Sequence, residues 1–326
     1  MNRRGTAMRM LMLACVTWGL SFPTIKALAL VQSSEAPVAN TWLLSTATMV
    51  ARFSTGALLA FLLVLFARGR VRTSRGEITQ GIGLGLFGGL GMLLQVDGLS
   101  HTEASTSAFL TQATVFFIPL VKALWHRQLP TLREGICCVI ALAGIAVLAR
   151  FDWRTFHMGR GEAETLAAAV LFTGHIMTLE VDAFRGNDAL KVSVVMFGVI
   201  TALFLPLLLM MEDGAASAVK AFSSPVTWLF LAILVGPCTL LSFIWMNQWQ
   251  PHVSATTAGL IYCLEPVFTS AFALFLPAWF SALAGVAYAN EHVTPALALG
   301  GGLILLANVL MLTGAQNDTL LNEHGV

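Results

Sequence analysis

Residues 253–276 read VSATTAGLIYCLEPVFTSAFALFL, a run of apolar and small residues in which Glu265 is the only charged side chain. A helix needs about 20 mainly apolar residues to cross the hydrocarbon core of a bilayer. The run is therefore predicted to span a membrane. Pro266 follows the charge directly and has no backbone N–H, so the pattern also predicts a bend or an unwound turn at Glu265.

The composition of the whole chain agrees with this reading. Of its 326 residues, 57% are hydrophobic and only 11% are charged, and the mean hydropathy is +0.79. Soluble domains are near half apolar and about a quarter charged, so the chain is predicted to be an integral membrane protein in a lipid bilayer. Its 18 basic and 17 acidic residues lack the basic excess typical of nucleic-acid-binding proteins, so no nucleic acid is expected as a partner.

Nine further apolar runs resemble the first. Together they predict an all-α protein with ten transmembrane helices. An additional apolar stretch at 277–288 is too short to cross alone and is predicted to be re-entrant or interfacial. The ten runs lie at 8–28, 41–67, 80–99, 104–125, 133–149, 163–181, 191–211, 226–246, 253–276 and 295–314.

The distribution of basic residues predicts the orientation. With the N-terminus in the cytoplasm, eleven Lys and Arg residues fall inside and four fall outside, namely Arg150, Arg154, Arg160 and Lys220. Because cytoplasmic loops carry the excess of Lys and Arg, both termini are predicted to be cytoplasmic. The polar end at 315–326 is expected to be a short disordered tail on that side.

The chain contains a weak internal repeat. At an offset of 150 residues, the segment 106–110 (TSAFL) aligns with the segment 256–260 (TTAGL). The repeat predicts two five-helix units, 1–150 and 151–314, the second of which contains the extra stretch at 277–288. Units with an odd number of helices cross the membrane in opposite senses, and such inverted repeats are typical of transporters that hold their substrate near the midplane.

Five short motifs, in this order and spacing, resemble the drug/metabolite transporter superfamily, in particular its EamA-type branch. The resemblance implies a ten-helix secondary transporter of the inner (plasma) membrane that exports or exchanges small metabolites, often amino acids, through a central cavity. The motifs are Trp18-Gly19-Leu20-Ser21-Phe22-Pro23, Ala51-Arg52-Phe53, Ala104-Ser105-Thr106-Ser107-Ala108-Phe109, Leu264-Glu265-Pro266-Val267-Phe268 and Glu291-His292-Val293-Thr294.

Three ionisable residues lie deep within the predicted spans, where a charge is costly and calls for a partner or a function. Glu265 could bind an ammonium group or carry a coupling proton, or it could form a structural salt bridge or cap. His175 could relay protons or bind substrate, or it could simply pack. Arg52 could pair with Glu265 or bind a substrate carboxylate.

Five further residues are candidates for the walls of the cavity. Trp18 is too deep in its span for an interfacial belt, and Ser21 follows it after one turn; an indole offers a flat apolar wall with one donor. Gln95 and Trp245 are partners at the offset of 150 and are predicted to face each other. Tyr262 lies one turn before Glu265 and could share its face, although packing is an equally good reading.

The sequence also limits the classes of protein to consider. It has no H-E-x-x-H and no G-x-S-x-G motif, so an intramembrane enzyme is not expected; it has no G-x-x-x-x-G-K-[ST] loop, so ATP is not expected to drive transport. The five cysteines show no metal-binding spacing, so neither a metal nor a cofactor is predicted. A channel or a structural membrane protein remains the alternative. The preferred reading is a substrate cavity lined by helices 1, 3, 4, 6, 8 and 9.

Overall fold

The computed structural model describes residues 3–68, 72–127, 129, 131–148 and 159–323. All regular elements within these residues are helical. The first nine α-helices are α1 (Arg3–Glu35), α2 (Thr41–Arg68), α3 (Arg75–Leu99), α4 (Ala104–Thr111), α5 (Thr114–Val121), α6 (Leu132–Leu148), α7 (Arg160–Thr178), α8 (Ala189–Met210) and α9 (Gly214–Ala221). The last six are α10 (Pro225–Val235), α11 (Ser242–Trp249), α12 (Ala255–Tyr262), α13 (Glu265–Ala273), α14 (Leu276–Ala284) and α15 (Pro295–Glu323).

Several of these helices are long and apolar enough to cross a membrane. Six segments in the described part of the chain meet this condition by length and composition, and the bent pair formed by Ala255–Ala273 and Leu276–Ala284 makes a seventh if it is one span. The chain is therefore a multi-pass membrane protein. All ten predicted runs coincide with helices, but α6, α7 and α15 are not among the six, so the count of ten spans stays a prediction.

The interruption predicted at Glu265 is present. Helix α12 ends at Tyr262 and α13 begins at Glu265, which leaves a break of two residues. Pro266 lies in the first turn of α13, where a missing backbone N–H costs nothing because that donor has no partner inside a helix. The proline thus starts a second helix rather than kinking a continuous one. We call the pair α12 and α13, with the break between them, a broken rod.

A second rod, in the first half of the chain, is broken in the same way. Helix α4 and helix α12 are both eight residues long, and each is followed by a two-residue break before the next helix. The pieces start 151 residues apart, at Ala104 and Ala255 and then at Thr114 and Glu265. The structural offset is thus one residue longer than the offset of 150 taken from the sequence.

The helices also pair in a pattern that repeats between the halves. At the offset of 151 residues, α3 corresponds to α10 and α11, and α7 corresponds to α1. Helix α3 packs on α7, and α10 and α11 likewise pack on α1. Helix α1 packs on α13, and its counterpart α7 packs on α4 and α5. The pairs α2–α8 and α6–α15 each join corresponding rods of the two halves. This is the pattern expected when two similar units are exchanged by a two-fold axis.

Glycines bring α3 very close to α8. A Cβ atom at Gly81 would come within 2.6 Å of the Val195 Cβ, and one at Gly85 would come within 2.7 Å of the Val199 Cβ. Contacts this short exclude any larger residue unless the backbone shifts, so these two glycines, one helical turn apart, allow α3 and α8 to pack closely.

Two regions near the C-terminus extend the fold. The stretch predicted as re-entrant or interfacial contains α14, which is bent by 55° from the preceding helix; its Phe280 is buried with its ring centroid 5.0 Å from that of Phe230. The prediction of a disordered tail at 315–326 is wrong up to Glu323, because α15 continues as a helix to that residue. Arg150 and Arg154, used for the orientation, lie outside the described residues.

Candidate functional site

A cavity of about 80 Å³ lies inside the helix bundle. One water molecule needs roughly 10–15 Å³ by this measure, so the space holds several waters or a small solute. The lining comes from the first, third, fourth, sixth, eighth and ninth predicted spans, the six named from the sequence. It consists of Trp18, Ser21, Gly88, Met92, Gln95, Thr111, Gln112, Thr114, Phe172, His175, Ile176, Phe243, Met246, Tyr262 and Glu265.

The structure places six of the eight candidate residues around this cavity. They are contributed by α1, α3, α7, α12 and α13, and all but Trp18 are buried. Arg52 and Trp245 do not line it. The six that line it are Trp18, Ser21, Gln95, His175, Tyr262 and Glu265.

The carboxylate of Glu265 meets a side chain from the other broken rod. Gln112 lies in the break between α4 and α5 and donates from Nε2 to Glu265 Oε2 over 3.1 Å. Both residues are buried, and the Oε1 atom of Gln112 has no hydrogen-bond partner. Sequence reasoning missed Gln112, although a polar amide in an apolar run, at the point that corresponds to the break before Glu265, was a usable signal.

His175 is held by a backbone carbonyl on α3. Its Nδ1 lies 3.0 Å from the Leu84 carbonyl oxygen, which can only accept, so Nδ1 carries the proton and Nε2 is left as an acceptor. Nε2 is buried and has no hydrogen-bond partner. Gly88 gives the ring its space, since a Cβ there would lie 2.6 Å from Nδ1. The ring of this lining residue is therefore fixed, with a buried acceptor that has no partner.

Two other polar residues are tied into their surroundings. Gln95 donates from Nε2 to Thr111 Oγ1 over 2.9 Å, which joins α3 to α4. The Tyr262 hydroxyl donates to Gln250 Oε1 over 2.7 Å, and Gln250 Nε2 donates to the Ile176 carbonyl over 2.8 Å. These bonds fix the side chains before any ligand arrives, which lowers the entropy lost on binding.

Three aromatic rings form one wall of the cavity. The Trp18 ring centroid lies 5.6 Å from that of Phe243 and 5.4 Å from that of Tyr262, both in edge-to-face geometry. Such pairs favour each other beyond their buried area and hold the rings in place. The wall is apolar, rigid and next to the Glu265 carboxylate in the lining.

The predicted pairing of Gln95 with Trp245 is wrong. Trp245 is half-buried outside the cavity, and Met246 takes its place in the lining. The reason is the register, because Met246 is the residue 151 positions after Gln95 and one residue turns a helix by about 100°. At this offset the lining residues also pair as Ser21 with Phe172, Met92 with Phe243, Thr111 with Tyr262 and Thr114 with Glu265.

Arg52 does not pair with Glu265. Its guanidinium is fully buried and donates from Nε to Thr239 Oγ1 and from Nη2 to the Cys238 carbonyl, at 3.0 Å for the latter. Both acceptors belong to a π-helical turn, Gly236–Leu241, between α10 and α11. A π turn leaves carbonyls outside the regular ladder, and Arg52 satisfies one of them. It thus supports the rod that carries Phe243 and Met246.

Charged networks lie at both ends of the bundle. At the end where α3 finishes and α7 begins, Arg160 binds Asp97 and Glu164. Glu291 accepts a hydrogen bond from the Ser105 backbone, and burial raises the pKa of its carboxyl group. Two salt bridges lie at the opposite end. Lys191 pairs with Glu77 at the start of α3 over 3.8 Å, and Lys122, which follows α5, pairs with Glu180 over 2.7 Å. Within the described residues, no group of three His, Cys, Asp or Glu side chains could hold a metal ion.

Comparisons with known proteins agree with this arrangement. Residues 5–150 match the EamA-like transporter family. A protein of Archaeoglobus fulgidus described as an uncharacterized transporter is 24% identical over 235 residues, which cover 72% of this chain and 69% of that protein. A crystal structure described only as that of a protein aligns with 96% of this chain and 99% of its own, with a TM-score of 0.63 and 19% identity, and this likeness shows the fold alone.

Proposed function

We propose that the chain, whose residues 5–150 match the EamA-like transporter family, is a member of the drug/metabolite transporter superfamily and a secondary active transporter of small metabolites. It would export or exchange amphipathic compounds, and amino acids and related amines are the classes to test first. The observation that carries the proposal is the buried cavity, lined by a single carboxylate and a wall of aromatic rings, at the seam of two broken rods.

The proposed mechanism is alternating access. The two five-helix units, 1–150 and 151–314, would be inverted repeats that rock about the cavity, as in other transporters built from such repeats. Support comes from the broken rods, which start 151 residues apart, and from the helix pairs that recur between the halves. The charged networks at the two ends would open in turn, because each joins helices that must separate to admit a solute.

We also propose roles for individual residues. Glu265, with Gln112 beside it, would bind the polar group of the substrate and could carry a coupling proton in its absence. His175 would add an acceptor, and Trp18 and Tyr262 would hold the apolar body of the substrate. Gln95 and Ser21 would line its path.

The proposed location is the inner membrane, with both termini in the cytoplasm. The support is the excess of eleven Lys and Arg residues over four on the side assigned to the cytoplasm. In this orientation the network of Asp97 and Arg160 faces outward, and the pairs Lys191–Glu77 and Lys122–Glu180 face the cytoplasm.

Counterflow in proteoliposomes tests the proposal. A thermal-shift screen of amino acids, amines and short carboxylates first selects the solute to label, because ligands that bind the folded state raise its melting temperature. We expect saturable exchange of that solute by the wild-type protein. Glu265→Gln should lower the exchange rate by about 100-fold, since it removes the charge of a buried hydrogen-bonded group.

Glu212→Gln is the matched control, because Glu212 is exposed and lies outside the cavity. It should change exchange by less than about twofold, as expected for an exposed charge. Conductance without saturation would instead indicate a channel, and exchange by Glu265→Gln at the wild-type rate would remove Glu265 from the mechanism.

A further inference from the structure

We infer that the cavity binds its substrate as a protonated amine and disfavours zwitterions, so that an amine without a carboxylate is preferred over the matching amino acid. This inference rests on the proposed function and names its substrate class. It follows from the unused acceptors at the cavity, from the absence of a cation for a carboxylate, and from the aromatic wall.

The first observation is a set of acceptors from three different elements. Glu265 supplies a carboxylate, Gln112 an amide oxygen and His175 a ring nitrogen. Two donors beside these acceptors are engaged, because one N–H of the Gln112 amide binds Glu265 and the His175 Nδ1 binds the Leu84 carbonyl. Gln112 Oε1 and His175 Nε2 are buried without partners. A buried acceptor without a partner is unfavourable, and a ligand that brings several N–H donors relieves it.

The second observation concerns positive charge. Among the described residues that line the cavity there is no lysine and no arginine. The nearest candidates in the spans are engaged elsewhere: Arg52 binds Thr239 and the Cys238 carbonyl, Lys26 donates to the Thr102 carbonyl over 2.7 Å, and Lys122 pairs with Glu180. The carboxylate of a zwitterion would therefore enter a buried site that already holds a negative group and offers no counter-charge.

The third observation is the wall of Trp18, Phe243 and Tyr262. Aromatic faces attract ammonium groups, most strongly where water is excluded, and cages of such rings are used to recognise amines. Met92, Phe172 and Met246 complete an apolar surface for the rest of the ligand. With about 80 Å³ of space, the cavity suits an amine with a short aliphatic or single-ring body.

Binding of three ligands that share the isobutyl side chain of leucine tests the inference. Isothermal titration of the purified full-length chain compares isoamylamine, leucine and 4-methylpentanoate, which carry an amine, both groups and a carboxylate respectively. We expect isoamylamine to bind at least about tenfold more tightly than leucine, which is the cost of roughly one unmatched polar group. 4-Methylpentanoate should not bind measurably.

Two variants locate the preference at the cavity. His175→Phe removes the free acceptor while keeping a ring beside Phe243, and should weaken isoamylamine binding by about tenfold. Thr201→Val, in α8 and outside the cavity lining, is the control and should leave binding unchanged. Retention volume on size exclusion and melting temperature without ligand show whether His175→Phe is folded; if it is not, Gln112→Met replaces it in the same comparison.

The inference is overturned if leucine binds as tightly as isoamylamine, or if 4-methylpentanoate competes with either. Failure here is distinguishable from failure of the proposed function. Saturable counterflow of leucine together with weak amine binding would overturn the amine preference and leave the carrier in place. Tight amine binding without counterflow would support the amine site and overturn the carrier.

Discussion

The two broken rods share a backbone and differ in chemistry. Both consist of an eight-residue helix, a two-residue break and a second helix, and both turn the residues around the break toward the same cavity. In the first rod these residues are Thr111, Gln112 and Thr114, whereas in the second they are Tyr262 and Glu265. The two rods thus have similar backbones, and their different side chains give the cavity a charged side and a neutral side.

The difference also extends to packing. At the second broken rod, Gly19 of α1 lets this helix lie directly against α13, because a Cβ at Gly19 would meet the Phe268 Cβ at 2.7 Å and the Thr269 backbone nitrogen at 2.9 Å. The residue 151 positions after Gly19 is Val170, which is 52% exposed. The rod that carries the charge is therefore held more closely than the rod that does not.

Moving the carboxylate from the second broken rod to the first tests the chemical difference between the two rods. It should have the largest effect on transport. In the double variant Gln112→Glu with Glu265→Gln, the amide and the carboxylate exchange places across a 3.1 Å hydrogen bond. Counterflow should return to within about tenfold of wild type, against a loss of about 100-fold for Glu265→Gln alone.

Gln112→Glu alone is the informative control for this exchange. It would place two carboxylates side by side in a buried site, where one of them must take up a proton. A double variant that is as inactive as Glu265→Gln would show that the position of the charge, and not only its presence in the cavity, is required.

Gly19→Ala tests the close packing of α1 on α13 and should have a smaller effect. The added methyl group meets the backbone of α13, so α1 must move, and we expect a loss of about 1–3 kcal/mol of stability, measured as a lower melting temperature in detergent. Gly198→Ala in α8 is the matched control, because nothing lies within 4 Å of the new atom.

The control should be neutral or stabilise by about 0.5–1 kcal/mol, since alanine favours helix more than glycine does. Equal melting temperatures for the two alanine variants would mean that the contact between α1 and α13 does not hold the charged rod in place.

Much of the site could be predicted from the sequence, because its signals are local. A proline after a buried acid fixed the break at Glu265, and depth within an apolar run identified Trp18 and His175. Trp245 was misplaced because the weak repeat was read one residue short, and a single residue turns a helix by about 100°. The true offset follows from the ends of the helices, which the apolar pattern does not define.

The remaining features depend on contacts between distant segments. Arg52 binds a π turn that begins 184 residues later in the chain, and no local pattern distinguishes that turn from a regular helix. The role of Gln112 likewise requires the two breaks to meet in space. Such pairings arise from tertiary packing, so the sequence could supply the candidates but not their partners.

Accessibility of the cavity from each side of the membrane tests most directly whether the two halves open it in turn. In vesicles of one orientation, Ser21→Cys is labelled with an impermeant thiol reagent added to either side; the wild-type chain, whose five cysteines are buried, is the blank. We expect labelling from both sides, and we expect a substrate gradient to raise the rate on one side and lower it on the other. Labelling from one side only, or rates on the two sides that do not change in opposite directions, would contradict this expectation.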